Sequence, residues 1–228
     1  MNSFTEKFVQ NFIQEERYMY LVEGLGTTFT ITIFAAIIGV VLGFIVAIIR
    51  STADKTGKLK ILDAICRAYL TVIRGTPAMI QLLIMFYVVF VSSNNKVFVA
   101  VMTFGINSGA YVAEIVRSGI MSVDNGQMEA GRSLGFNYAQ TMWYVIMPQA
   151  FKNILPALVN EFIVLLKETS ICGYIGLMDL TRGGDIIRSR TYEAFLPLIA
   201  VAIIYLIIVM LLTACVNRLE RRLRASER

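Results

Sequence analysis

The sequence has 228 residues, of which 57% are hydrophobic and 16% charged, with a formal net charge of +5. A soluble domain carries about a quarter charged residues, so a water-facing globule is excluded and the chain divides better into membrane spans of about 20 residues each. It has no histidine, which removes imidazole acid/base catalysis, Ser-His-Asp hydrolysis and histidine metal sites, and its basic residues are scattered between apolar runs, as suits a membrane surface rather than nucleic acid.

Residues 1–20 place Phe4, Phe8, Phe12 and Ile13 on one helical face, with Glu6, Lys7, Glu15 and Glu16 elsewhere. That pattern predicts an amphipathic helix lying in the membrane interface, a frayed terminus being the alternative. Acidic residues ahead of any long apolar run do not fit a cleaved signal. Residues 27–49 then carry no charge and are long enough, at about 1.5 Å per residue, to cross a hydrocarbon core of about 30 Å. This is the first predicted span. Its Gly39 and Gly43 form a small-xxx-small pair that lets a neighbouring helix approach.

The second predicted span, 61–91, contains Arg67, Arg74 and the run Gly75-Thr76-Pro77. The proline lacks an N–H, so a discontinuity is expected there. After the polar turn 92–96 comes a third span, 97–121, with a polar stripe of Asn107, Ser108, Glu114 and Arg117. Residues 122–153 are polar and contain glycines. A fourth span, 155–172, is interrupted by Asn160, Glu161, Lys167 and Glu168. The polar segment 173–193 precedes a charge-free fifth span, 194–216, and a basic tail. Cys66, Cys172 and Cys215 are far apart and read as ordinary buried residues.

The expected fold is therefore all-α, a single polytopic domain over 1–228 with five transmembrane helices and termini on opposite sides. With the N-terminus outside, the inner segments hold eleven basic residues, among them Arg50, Lys55, Lys58, Lys60, Arg218 and Arg228, and the outer segments hold six. The excess of Lys and Arg belongs on the cytoplasmic side. The chain reads N-out and C-in, with 122–153 in the cytoplasm.

Ionisable groups at bilayer depth cost about 2.5–3.5 kcal/mol, so Arg74, Glu114, Glu161 and Lys167 need partners or water. Glu114 has Arg117 one turn away, a local ion pair. Glu161 has no basic residue three or four positions away, so an interhelical partner or a ligand amine is expected. Arg74 lies beside the predicted break, where freed backbone groups and a guanidinium together suit a carboxylate. Gln81, Asn107, Ser108 and Tyr111 could complete a polar cavity, and ordinary interhelical hydrogen bonding accounts for them equally well. With no Walker A pattern, metal-ligand cluster or nucleophile-base spacing, the chain carries no engine. It suits a channel, a gradient-driven carrier or one part of a multi-subunit pump.

The stretch Met128-Glu129-Ala130-Gly131-Arg132-Ser133-Leu134-Gly135, followed after nine residues by Val145-Ile146-Met147-Pro148, resembles the cytoplasmic EAA loop of ABC importer permeases. It departs from that pattern with Gly131 for the second alanine, Val145 for isoleucine and Met147 for leucine. The segments Arg74-Gly75-Thr76-Pro77, Ser108 to Glu114 and Asn160-Glu161-Phe162-Ile163 resemble the polar amino-acid branch, and the similarity runs from about 24 to 216.

The resemblance implies a bacterial inner-membrane permease of five spans with an outer N-terminus, working as a dimer with a like or unlike second permease. Two cytoplasmic ATPase subunits would hold ATP and Mg, and an extracytoplasmic binding protein would deliver cargo. This chain would bind no cofactor of its own and would not itself be an enzyme. Its EAA loop is expected to form a coupling helix between spans 3 and 4, flanked by glycines and ended near Pro148, with Glu129, Ala130, Gly131, Arg132, Gly135 and Pro148 as the contact. Cargo, a polar amino acid for which Glu161 makes a cationic one attractive, is expected at Arg74, Gln81, Asn107, Ser108, Tyr111 and Glu161. A stand-alone carrier or channel for small polar solutes is the alternative.

Overall fold

The structure, a computed structural model, describes residues 4–225. The first three residues of the 1–20 segment and Arg228 of the basic tail lie outside the described residues, as do the side chains of Lys55, Arg222 and Arg224. Among the described residues every regular element is helical.

Helix α1 (Phe4–Phe8) runs through a π turn (Val9–Ile13) and a 3₁₀ turn (Gln14–Glu16) into α2 (Tyr18–Thr56). The amphipathic helix expected over 1–20 is thus broken at Glu15 and Glu16, whose φ angles are 52° and 51°. Phe4, Phe8 and Ile13 stay exposed, whereas Phe12 is buried with Leu21, Leu180 and Ile187. Protein packing therefore takes up one of the three phenylalanines assigned to the interface. Asn11 follows it inward and accepts a hydrogen bond from Thr191 Oγ1 at 2.8 Å.

Helix α2 contains the expected span 27–49 and overruns it at both ends, stopping at Gly57. It packs most extensively on α5 (Lys96–Met121), and the Gly39/Gly43 pair lies in that contact. A Cβ at Gly43 would stand 2.5 Å from Val112 Cγ1, so the small residues do let the two backbones close up. Between them come α3 (Lys60–Gly75) and α4 (Ala78–Ile84), the latter extended by a π turn (Met85–Val89). The expected discontinuity at Thr76-Pro77 is present, and it bends the pair by 108°, far more than a proline kink. Helix α5 begins at an Asn95 cap whose side chain accepts from Phe98 N at 2.9 Å.

After α5 come the short helices α6 (Asn125–Ser133) and α7 (Tyr138–Thr141). A π turn (Met142–Ile146) carries α7 directly into α8 (Met147–Glu168). A 3₁₀ segment (Thr169–Ile175), α9 (Leu180–Thr191) and α10 (Phe195–Ala225) complete the chain. Among the described residues, three helical stretches are long and apolar enough to cross a membrane, Tyr18–Asp54, Lys96–Met121 and Phe195–Arg221, and the bent α3–α4 pair adds a fourth if it is one span. Helix α8 carries Lys152, Glu161, Lys167 and Glu168 and is not among these. The α10 residues Leu206, Ile207, Met210 and Leu211 are exposed, as a lipid-facing surface is. Cys66 and Cys172 are buried as expected, but Cys215 on this helix is exposed.

Candidate functional site

The break after α3 frees backbone carbonyls, and one side chain collects them. Gln81, one turn into α4, donates from Nε2 to Ile73 O at 2.8 Å, to Thr76 O at 3.1 Å and to Thr76 Oγ1 at 2.8 Å. Its Oε1 accepts from Asn107 Nδ2 of α5 at 2.9 Å. These two residues, expected at a cavity wall, thus stitch the broken helix to α5. Two of the carbonyls expected to be available to a ligand, Ile73 O and Thr76 O, are thus already hydrogen-bonded. Tyr69 adds a second tie, donating to Ile106 O at 2.6 Å.

Beside this seam opens a cleft of about 520 Å³ lined by Arg74, Tyr111, Glu114, Ser118, Asn153 and Glu161, among others. Small-molecule sites run to about 300–1,000 Å³, so an amino acid fits comfortably. Arg74, in the last turn of α3, lies 5.7 Å over the Tyr111 ring, a cation–π distance. Its guanidinium is 3.8 Å from Glu114 Oε1. Glu161 projects from α8 and accepts a 2.9 Å hydrogen bond from Ser108 Oγ of α5, the interhelical partner its sequence position called for. Lys167 lies exposed near the end of α8.

Three of the six expected cargo residues, Arg74, Tyr111 and Glu161, line the cleft, while Gln81, Asn107 and Ser108 lie behind it. Glu114 does not take its local partner. It faces Arg50 of α2 at 3.0 Å, and Arg117 instead reaches Asp54 at 3.6 Å. The cause is the close α2–α5 packing, which brings the charged end of α2 alongside α5. Sequence reasoning missed Ser118 and Asn153 as lining residues. Ser118 was within reach, since Tyr111, Glu114 or Ile115, and Ser118 follow one another at helical spacing on one face of α5. Asn153 was not, because its Nδ2 meets Ser122 Oγ at 2.8 Å across the folded loop.

The loop itself is a helical hairpin. Helix α6 exposes Glu129, Ala130 and Arg132, and turns Gly131 inward. It ends at Ser133, earlier than expected. Leu134 and then Gly135, whose φ of +86° only glycine adopts without strain, lead to an Asn137–Gln140 capping box that starts α7. Pro148 therefore does not end α6. It lies immediately after the π turn, at the start of α8. Trp143 and Tyr144 are exposed beside this hairpin, and no motif pointed to them.

Residues 39–225 match the family described as the binding-protein-dependent transport system inner membrane component. The chain belongs to that family. This permease is 37% identical to the arginine transport system permease protein ArtQ of Bacillus subtilis over 91% of its own length and 94% of ArtQ. It is 35% identical to the glutamine transport system permease protein GlnP of Escherichia coli K12, over 90% of the permease and 93% of GlnP. A chain in the crystal structure of an amino acid ABC transporter superposes on it with a TM-score of 0.83 at 43% identity, covering 92% of the permease and 98% of that chain.

Proposed function

We propose that this chain is the membrane-spanning subunit of an ATP-driven importer of polar amino acids, cationic ones included. The observation that carries the reading is the cleft, in which one guanidinium and two carboxylates face the same space. An amino acid offers a carboxylate for Arg74 and a cationic group for Glu161, Glu114 being held by Arg50 at 3.0 Å, and relatives named for arginine and for glutamine support the amino-acid class. Arg74 takes the α-carboxylate, while Glu161, with Tyr111, faces the amine or the side chain. Asn107, Gln81 and Ser108 act indirectly, by fixing where Arg74 and Glu161 stand.

In this reading there are five spans: α2, the broken α3–α4 pair, α5, α8 and α10. The N-terminus is outside, and residues 122–153 face the cytoplasm. A second permease subunit, two ATPase subunits holding ATP and Mg, and an extracytoplasmic binding protein complete the machine. The surface of α6 around Glu129, Ala130 and Arg132 meets the ATPase. Its thrust passes through Gly131 to Thr141 of α7, and α7 continues through the π turn into α8, the helix that bears Glu161. A push on the loop thus moves one wall of the cleft against α5, the basis of alternating access.

The test is reconstitution. Co-expressed with the partner ATPase and binding protein, the chain should purify as a complex that takes up L-arginine or L-glutamine only with ATP. Uptake by the purified chain alone would overturn the reading in favour of a gradient-driven carrier.

A further inference from the structure

The ion pairs around Glu114 form a ranked set rather than a single bridge. Its Oε1 lies 3.0 Å from Arg50 Nη1 and 3.8 Å from Arg74 Nη1. Arg50 is enclosed, with 13% of its side chain exposed, whereas Arg74 is 46% exposed and faces the cleft. Behind Arg50 stands Asp63, at 3.6 Å from Arg50 Nε. That approach is too long for a hydrogen bond, and Asp63 already holds Arg67 at 2.7 Å. Arg50 is therefore committed chiefly to Glu114, and Arg74 is the loose member.

We infer that Glu114 is a specificity-determining residue of the cleft: it holds Arg74 in the place of cargo and retains Arg50 when a cargo carboxylate takes Arg74 away. This rests on the reading of Arg74 as the carboxylate anchor. Removing one partner from an enclosed ion pair leaves an uncompensated charge, which is costly. Here the cost is avoided, because Glu114 keeps its shorter bond to Arg50 after Arg74 departs. Carboxylate capture is then an exchange between two acids at one guanidinium. A molecule with the same side chain and amine but no carboxylate has nothing to exchange and leaves the Arg74–Glu114 pair in place.

The signs of the mutational effects follow. Glu114→Gln removes the competitor and tightens amino-acid binding. Arg50→Met leaves Glu114 with Arg74 alone, strengthens the competitor and weakens binding. The double variant returns toward the single Glu114→Gln. Partly exposed pairs contribute modestly, so shifts of about threefold in each direction are expected.

The experiment measures binding of L-arginine and its decarboxylated analogue agmatine, and of L-glutamine and 4-aminobutanamide, to the purified complex by radioligand competition. Glu114→Gln should lower Kd for the amino acids and leave the amines unchanged, and Arg50→Met should raise it for the amino acids alone. A structural role would move both members of each pair together, and that result, or the same sign for both variants, overturns the inference. Arg74→Met separates the two layers: if it does not abolish the preference for amino acid over amine, the anchor reading itself has failed. Should Glu114→Gln not assemble, the sign of Arg50→Met decides alone.

Discussion

Gly131 of α6 sits so close to Thr141 of α7 that a Cβ on the glycine would stand 2.5 Å from the threonine Cγ2. Thr141 is fully buried and its hydroxyl donates to Asn137 O at 3.0 Å, so it has little room to yield. The contact explains why glycine replaces the alanine of the EAA pattern. Overpacking of this kind costs about 1–3 kcal/mol. Gly131→Ala should therefore separate α6 from α7 and lower the number of amino acids moved per ATP, while ATP hydrolysis persists. Thr141→Ser removes the obstructing methyl and keeps the hydroxyl, so the double variant should recover transport. A coupling ratio unmoved by Gly131→Ala would remove α6–α7 contact from the transmission path.

Gln81 divides structure from cargo binding. Gln81→Ala strips partners from the partly or fully exposed Ile73 O and Thr76 O and leaves the buried Asn107 Nδ2 without its acceptor, and an unsatisfied buried group costs about 1–3 kcal/mol. Thermal unfolding of the solubilised complex should shift to lower temperature, and the maximal uptake rate should fall with the protein. KM should stay where it was. A raised KM with unchanged stability would place Gln81 at the cargo after all.

Local chemistry made much of this fold legible. Charge-free runs marked α2 and α10, Asn95 and Lys96 marked the start of α5, and Pro77 marked the break after α3. What the sequence did not disclose depends on tertiary packing. The choice of Arg50 over Arg117 as the partner of Glu114 follows from how α2 lies on α5, which no local spacing records. Phe12 likewise looked like an interfacial residue until α9 was present to bury it. Gln81 and Asn107 share one explanation: the severity of the bend let backbone carbonyls claim the Gln81 amide, and the Gln81 oxygen in turn claims Asn107. The helix end at Ser133 was visible in principle, since Gly135 and Asn137 are a stop and a start signal two residues apart.

Asp179 gives the start of α9 a pH dependence. It caps α9 by accepting from Arg182 N at 2.7 Å, yet it is fully buried, and burial pushes its carboxyl up to about 6. The ordinary value is about 3.9. A raised folded-state value means that the protonated form favours folding, so this contribution is full below about pH 4 and is lost as pH rises through about 6. Asp179→Asn keeps an acceptor for the cap and removes the ionisation. Between about pH 4 and 6 the variant's unfolding temperature should lose the part of the decline that the native protein shows with rising pH. Parallel curves for the two proteins would remove Asp179 from the account.

In the proposed reading, Glu161 decides the class of cargo. Its side chain is already hydrogen-bonded to Ser108, and a glutamine in its place keeps an acceptor for that hydroxyl while losing the charge. Glu161→Gln therefore separates electrostatics from the α5–α8 tie. Hydrogen bonds to charged groups contribute about 1.5–3 kcal/mol, against about 1 for neutral ones, so uptake of L-arginine should weaken by roughly tenfold or more and uptake of L-glutamine far less. Ser108→Ala is the complement: it breaks the tie and preserves the carboxylate, and it should alter both substrates alike. If Glu161→Gln instead reduces both to the same degree, its carboxylate does not select the side chain of the cargo: it meets the α-amine that both substrates share or serves helix packing.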